Sequence, residues 1–325
     1  MYILIYNMLC DMRFKCYAIC DSNAMRYAIL LYRYISYYII IMSELQCKFL
    51  SSKGLLKSCV FIPNIQGSTL RNHGFYDTHK RYGDNVISIY VCSSALENFV
   101  KDSMNKITYK FVVVTGDSDM EVHVDCFFVK TLLNNPNLIH LYSQNGWGNH
   151  DKFTKIPIGI DYHTFIRPHN PPIKQEELLT RIKNSSKPFY ERECLCFVNF
   201  GGYWGDRIIA HKEIPKDLIY EMKVGTPREI IWKLQTRYSF VISPVGQGLD
   251  THRTWEALIL GCIPIIRKNP IVEVFKDLPV LMVNKWSDIT KELLETTIKK
   301  FKTKKFNYDK LNRSYWGTLF NSHKQ

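Results

Sequence analysis

The sequence predicts an α/β protein with parallel sheets, arranged in two domains. Short apolar, β-rich runs recur from Cys59 onward and alternate with stretches of helical spacing, the pattern of strands joined by crossover helices. Several of these runs end directly in turns built from Gly or Asp. The chain has 325 residues, enough to bury two cores.

In chain order, Cys59 to Ile62 is a first apolar strand, and 64–83 reads as loop with Gly67, Gly74 and Gly83. Val86 to Cys92 is a second strand, and Ser93 starts a helix to about Lys101. Lys110 to Thr115 is a third strand that runs into Gly116-Asp117-Ser118-Asp119. Val124 to Leu133 reads as helix, and Leu138 to Tyr142 and Lys155 to Ile158 as strands. Pro168, Pro171 and Pro172 then precede a polar helix from Lys174 to Lys183, which places the domain switch near 165–190. Cys194 to Phe200 opens the second domain, followed by a bend with Gly201, Gly202 and Gly205. Thr226-Pro-Arg-Glu229 has the form of a capping box with Pro at the first helical position. Tyr238 to Ser243 is a strand broken by Pro244, Gly246 and Gly248. Asp250 or Thr251 can cap the next helix, Gly261 can stop it, and Cys262 to Ile266 restarts an extended run. Asn269-Pro270 starts a short helix toward Lys276, Leu278 to Val283 is a strand, and Ser287 is placed to cap a helix to Lys300. The expected domains are 58–170 and 190–306, with 1–57 an N-terminal extension or membrane anchor and 307–325 a segment packing back on the first domain.

The N-terminus has three readings. Tyr27 to Met42 is strongly apolar, but it is shorter than a bilayer span and Arg33 interrupts it. It can be a signal anchor giving membrane association, a buried or interfacial segment, or part of an upstream extension if Met42 is the initiator. The compartment stays open between cytoplasmic and membrane-anchored.

At 46% hydrophobic and 22% charged the chain is globular, not disordered. Its net charge of +13 favours acidic partners without choosing among them. No nucleic-acid-binding motif appears, so no specific nucleic acid is expected. The ten cysteines form no C-x-x-C pair and have no histidine spacing suited to zinc. A reducing compartment is the simpler reading of such scattered thiols.

The chemistry concentrates in 240–266. A glycine loop before a helix lets backbone N–H groups approach a ligand, and the helix N-terminus adds partial positive charge. That suits a phosphate. Arg253, in the first helical turn, adds a charge-assisted hydrogen bond. Glu256 lies three residues on, where a carboxylate can accept from a ribose. The plainer reading of Arg253 and Glu256 is a surface i,i+3 ion pair.

The full string S-P-x-G-x-G-x-D-x-x-R-x-W-E-A-L-x-x-G-C-I-P-I-I, Ser243 to Ile266, resembles the C-terminal half of exostosin-like glycosyltransferases. It is also similar to the ribitol-xylosyltransferase type and to related transferases of large DNA viruses. Weaker similarities run back to about Val112: Tyr142-Ser-Gln-Asn145, Ile156-Pro-Ile-Gly-Ile-Asp161 and, later, Val280 to Ile289. The resemblance implies a GT-B fold of two Rossmann-like domains, with a nucleotide-sugar donor on the second and a glycan or glycoprotein acceptor. It implies a donor site of Ser243, Gly246, Gly248, Asp250, Arg253 and Glu256, with Arg207 sharing the diphosphate, and inversion at the sugar carbon. The Gly-Gly-Tyr-Trp-Gly run before Asp206-Arg207 departs from the family pattern.

The acceptor's base is expected from the first domain: Asp119, Asp117 or His163. Asp117-x-Asp119 also has the form of a metal motif, compatible with Mn or Mg bridging a diphosphate. No metal or other cofactor is firmly implied, because Asp is also a common turn residue. The rival readings are a metal-dependent GT-A-type transferase centred on Asp117 and Asp119, a non-catalytic glycan- or nucleic-acid-binding protein, and a degenerate transferase kept as a structural subunit.

Overall fold

The computed structural model describes residues 44–63, 86–164, 170–202, 204–223 and 225–323. The apolar run at 27–42 and the loop at 64–83 lie outside these residues. Among the described residues, no helix is long and apolar enough to cross a membrane. They divide into a smaller unit, 44–47 with 162–164 and 170–175, and a larger one holding the rest.

The larger unit is α/β with parallel sheets, consistent with Rossmann-like folds. A short buried helix, α1 (Ser52–Leu56), comes first, capped by Ser51, whose Oγ accepts from Gly54 N–H. The first sheet uses β1 (Ile87–Cys92) and β2 (Phe111–Gly116). After β3 (Val122–His123) come β4 (Leu138–Ser143), β5 (Gly146–Trp147) and β6 (Phe153–Lys155). Its order is β1-β2-β4-β6, every pair parallel, while β3 and β5 make a separate parallel pair. Every residue of β1 and β2 is buried, which is why both read as continuous apolar runs without alternation. Helices α2 (Leu96–Asp102) and α3 (Phe127–Leu133) cross between the strands, and Phe99, Val113, Leu132 and Leu141 meet in one core.

Helix α4 (Pro172–Ser185) leads to the second sheet. It is built from β7 (Glu193–Val198), β8 (Ile219–Glu221), β9 (Tyr238–Ile242), β10 (Ile263–Arg267) and β11 (Leu281–Val283), in the order β11-β10-β9-β7-β8, all parallel. The helices in this half are α5 (Asp206–Glu213), α6 (Arg228–Gln235), α7 (His252–Ile259) and α8 (Lys291–Thr303). A second core, with Phe240, Ile263, Trp286 and Leu294, belongs to this sheet. The last helix, α9 (Arg313–Asn321), returns to the first sheet: Ser88 Oγ donates to Asn321 Oδ1 at 2.6 Å, and Tyr142 meets Phe320.

Local expectations differ from the structure at several places, and at the following five a different partner wins. The strand expected at Cys59 to Ile62 narrows to one bridge, Phe61 to Ile89, because Val60 N–H donates to Ser88 Oγ. The strand expected at Lys155 to Ile158 ends at Lys155: Pro157 has no N–H, and Ile158 N–H donates to Asp250. The capping box at Thr226 does not form, since its hydroxyl turns back to Lys223 C=O and Pro227 is the cap. Helix α8 starts four residues beyond Ser287, capped by Thr290, whose Oγ1 accepts from Leu293 N–H. Thr251 precedes α7 without a side-chain capping bond, and Asp250 faces elsewhere. At the other end of α7, Gly261 takes φ +73°, with Gly261 N–H bonded to Leu258 C=O and Cys262 N–H to Ala257 C=O. That Schellman arrangement needs glycine and stops the helix where expected.

Candidate functional site: two arginines at a glycine loop

Strands β7 and β9 are neighbours, so their C-terminal ends open side by side, where open parallel sheets hold ligands. From β7 the chain passes Asn199, Phe200 and the Gly201–Gly202 bend into α5, and from β9 it passes the 243–251 loop into α7. Neither helix has a side-chain N-cap bond, so both keep backbone donors at this edge.

Each helix contributes an arginine from its first turn. Arg207 stacks 4.7 Å over the Trp204 ring, and its Nη1 donates to Gly201 C=O at 2.5 Å. Arg253 lies 5.4 Å from the Phe200 ring centre. A Cβ on Gly246 would sit 3.4 Å from Arg207 Nη2, so the loop backbone lies against that guanidinium. Burial first and the positive charge of Arg207 second lower Arg253 to about 10, with Glu256 partly offsetting both. Burial lowers Arg207 as well. Arg253 Nη1, Arg207 Nε and Asn199 Oδ1 are buried without a hydrogen-bond partner. Two cations are therefore held near each other with buried donors unsatisfied, an arrangement that carries a desolvation and repulsion cost and suits an anion.

The loop is braced from three sides. Asp206 Oδ2 accepts from Val245 N–H at 3.3 Å, while its Oδ1 accepts from Trp286 Nε1 at 2.9 Å and meets Arg267 at 3.0 Å. Asn269 Nδ2 donates to Leu249 C=O at 3.4 Å. Asn145, held at φ 49°, accepts from Asp250 N–H through Oδ1 at 3.1 Å and donates from Nδ2 to Ser118 C=O at 3.1 Å. A Cβ on Gly248 would fall 2.8 Å from Asn145 Nδ2, so a larger residue there would have to push that amide aside. Asn145 thus joins the glycine loop to the Asp117–Asp119 turn of the first sheet.

The other residues expected at the donor site surround the same loop with varied partners. The Ser243 hydroxyl is buried and shares hydrogen bonds with Thr254 at 2.7 Å and Thr251 at 3.0 Å. The Asp250 carboxylate accepts from Ile158 N–H and Trp255 Nε1 through Oδ2, and from Thr251 N–H through Oδ1, each at 2.8 Å. Burial outweighs those three bonds and raises Asp250 to about 6. Glu256 is buried, with Oε1 accepting from Arg228 and Oε2 from Trp232 Nε1 at 3.0 Å. Each of its oxygens retains a further lone pair.

The candidate bases are placed differently from one another. Asp117, at φ 59°, is buried in an ion pair with Lys53 of α1, and its N–H donates to Gln144 Oε1 at 2.8 Å. Asp119 is exposed two residues on. His163 belongs to the smaller unit, where its Nε2 lies 3.5 Å from Glu44. Among the described residues, no group of three or more His, Cys, Asp or Glu is arranged to hold a metal ion.

Several residues of the site are not singled out by the sequence. Asn145 and Asp206 act through partners far along the chain, and Arg228 and Trp232 read only as parts of a helix. Asp206 is marked solely by its position beside Arg207 at the end of a glycine bend. Comparison with protein-family models and with curated protein sequences finds no match for this chain.

Proposed function

We propose that the protein is a glycosyltransferase, GT-B-like in arrangement, that takes its sugar from a nucleotide-diphosphate donor. The observation that carries this reading is the pair of half-buried arginines, Arg207 and Arg253, each with one buried, unsatisfied nitrogen, beside the Gly246 loop. A diphosphate answers both charges and both uncapped helix ends at once. Glu256, oriented by Arg228 and Trp232, has acceptor capacity left for ribose hydroxyls.

In the reaction, an acceptor hydroxyl oxygen forms the new bond to the sugar's anomeric carbon. The bond from that carbon to the diphosphate oxygen breaks, and the nucleoside diphosphate leaves with the electron pair. Negative charge grows on the leaving oxygen, where two fixed guanidinium groups and backbone N–H donors stabilise it. The acceptor proton passes to a carboxylate. Asp119 suits this role better than Asp117, whose carboxylate is neutralised by Lys53. Asp119 also lies on the turn that Asn145 ties to the glycine loop.

Thermal-shift screening against UDP-, GDP- and CMP-sugars tests the reading, since a ligand selective for the folded state raises its melting point. A diphosphate sugar should shift the transition of the wild type and not of Arg207→Ala/Arg253→Ala, and turnover with that donor should follow. Steeply salt-dependent nucleic-acid binding, with no response to any nucleotide sugar, would point instead to a non-catalytic binding protein.

A further inference from the structure

Remote from the glycine loop, a groove of about 600 Å³ runs between the end of the second sheet and α8. Strand β11 is the last strand of that sheet among the described residues and pairs there with β10 alone. Val280, Leu281 and Met282 all line the groove. Val280 precedes β11, and the next two residues, both in the strand, point to opposite faces, so a cavity bordered by both follows the strand edge and not a sheet face. The opposite wall is one face of α8, with Leu293, Thr297 and Phe301 in helical register.

Val283 C=O accepts from Lys268 N–H, on the β10 side. By alternation along the strand, the N–H and C=O of Met282 face outward, into the groove. The rim is basic: Lys276, Lys300 and Lys304 are exposed along it, and Lys299, Lys302 and Lys305 continue the charge outward. Asp277 is the one acidic residue of the lining, and it lies 3.9 Å from Lys310.

We propose that this groove is a docking site for an extended acidic peptide segment, which adds a strand beside β11. Backbone groups of the peptide would pair with Met282. Apolar residues on one side of it would enter the floor of the groove, and carboxylates would meet the three lysines. A flat anionic lipid surface fits less well, because it cannot reach backbone groups recessed in a groove. The inference is independent of the glycosyltransferase reading, and its test uses no nucleotide sugar.

The test is fluorescence anisotropy of the full chain with a fluorescein-labelled peptide of alternating Glu and Val. Saturable binding is expected, and Lys300→Glu/Lys304→Glu should weaken it by about tenfold or more. Met282→Pro removes an outward N–H at a sheet edge, where proline is tolerated, and it too should weaken binding. The double lysine variant keeps the test decisive if the proline variant does not fold. Absence of saturable binding, or equal binding by the lysine variant, would overturn the proposal. So would tighter binding to phosphatidylserine vesicles that is indifferent to Met282→Pro, which would assign the lysines to a membrane surface.

Discussion

At the scale of single residues, the free energy of the site is arranged for something that carries negative charge. Arg207 and Arg253 hold buried nitrogens without partners, and each carries the same charge as its neighbour. Replacing one of them should therefore cost little stability in the empty protein. We expect Arg253→Met, which keeps an apolar stem against Phe200, to melt at or above the wild-type temperature. The same variant should bind a nucleoside diphosphate about 10- to 100-fold more weakly, as loss of a hydrogen bond to a charged group would give. A large drop in melting temperature would mean that Arg253 is a structural residue with a partner. Asp250 offers a second residue-scale test. Burial raises it to about 6 from an ordinary 3.8, so between those values the folded state holds a proton that the unfolded state has lost. Its contribution to stability is therefore greatest below about pH 4, falls as pH rises to about 6, and is level above. The difference in unfolding free energy between wild type and Asp250→Asn should drift by about 3 kcal/mol across that window. A flat difference would contradict the assignment.

Individual elements show what the sequence makes legible and what it does not. Strands β2 and β9 could be found because every residue in them is buried, leaving an unbroken apolar run. Helix α7 could be found because its stop signal is local, a glycine that alone tolerates φ +73° at that position. The starts of α6 and α8 could not, because Thr226 and Ser287 satisfy a local pattern while the backbone places the helix start elsewhere. Nor could the partners of site residues be read: Lys53 and Asp117 are 64 positions apart, and Asp250 meets Ile158 across 92. Such pairs are set by how the sheets stack their loops, which no local spacing encodes. The Lys53–Asp117 pair shows the energetic consequence. Lys53→Met should leave a buried carboxylate without its ion partner and cost about 3–5 kcal/mol in chemical denaturation. Adding Asp117→Asn should recover part of that loss, whereas additive losses would show that the two residues do not act as a pair.

Across the whole molecule, two parallel sheets in one compact unit bring the Asp117–Asp119 turn and the glycine loop onto a shared residue, Asn145. That link ties the turn carrying Asp119 on one sheet to the loop beside Arg207 and Arg253 on the other, the coupling that the proposed transfer between two substrates needs. It also separates the proposal from its metal-dependent rival. With Asp117 engaged by Lys53 and diphosphate charge met by arginines, sugar transfer should persist in EDTA. Loss of activity restored by manganese would return the role to Asp117 and Asp119. The most direct measurement is calorimetric titration of UDP and of inorganic pyrophosphate into the wild type and into Arg207→Ala/Arg253→Ala. One saturable site is expected in the wild type, occupied by either ligand, and none in the double variant. Undiminished binding by the folded double variant, or no binding of either ligand to the wild type, would contradict the proposal.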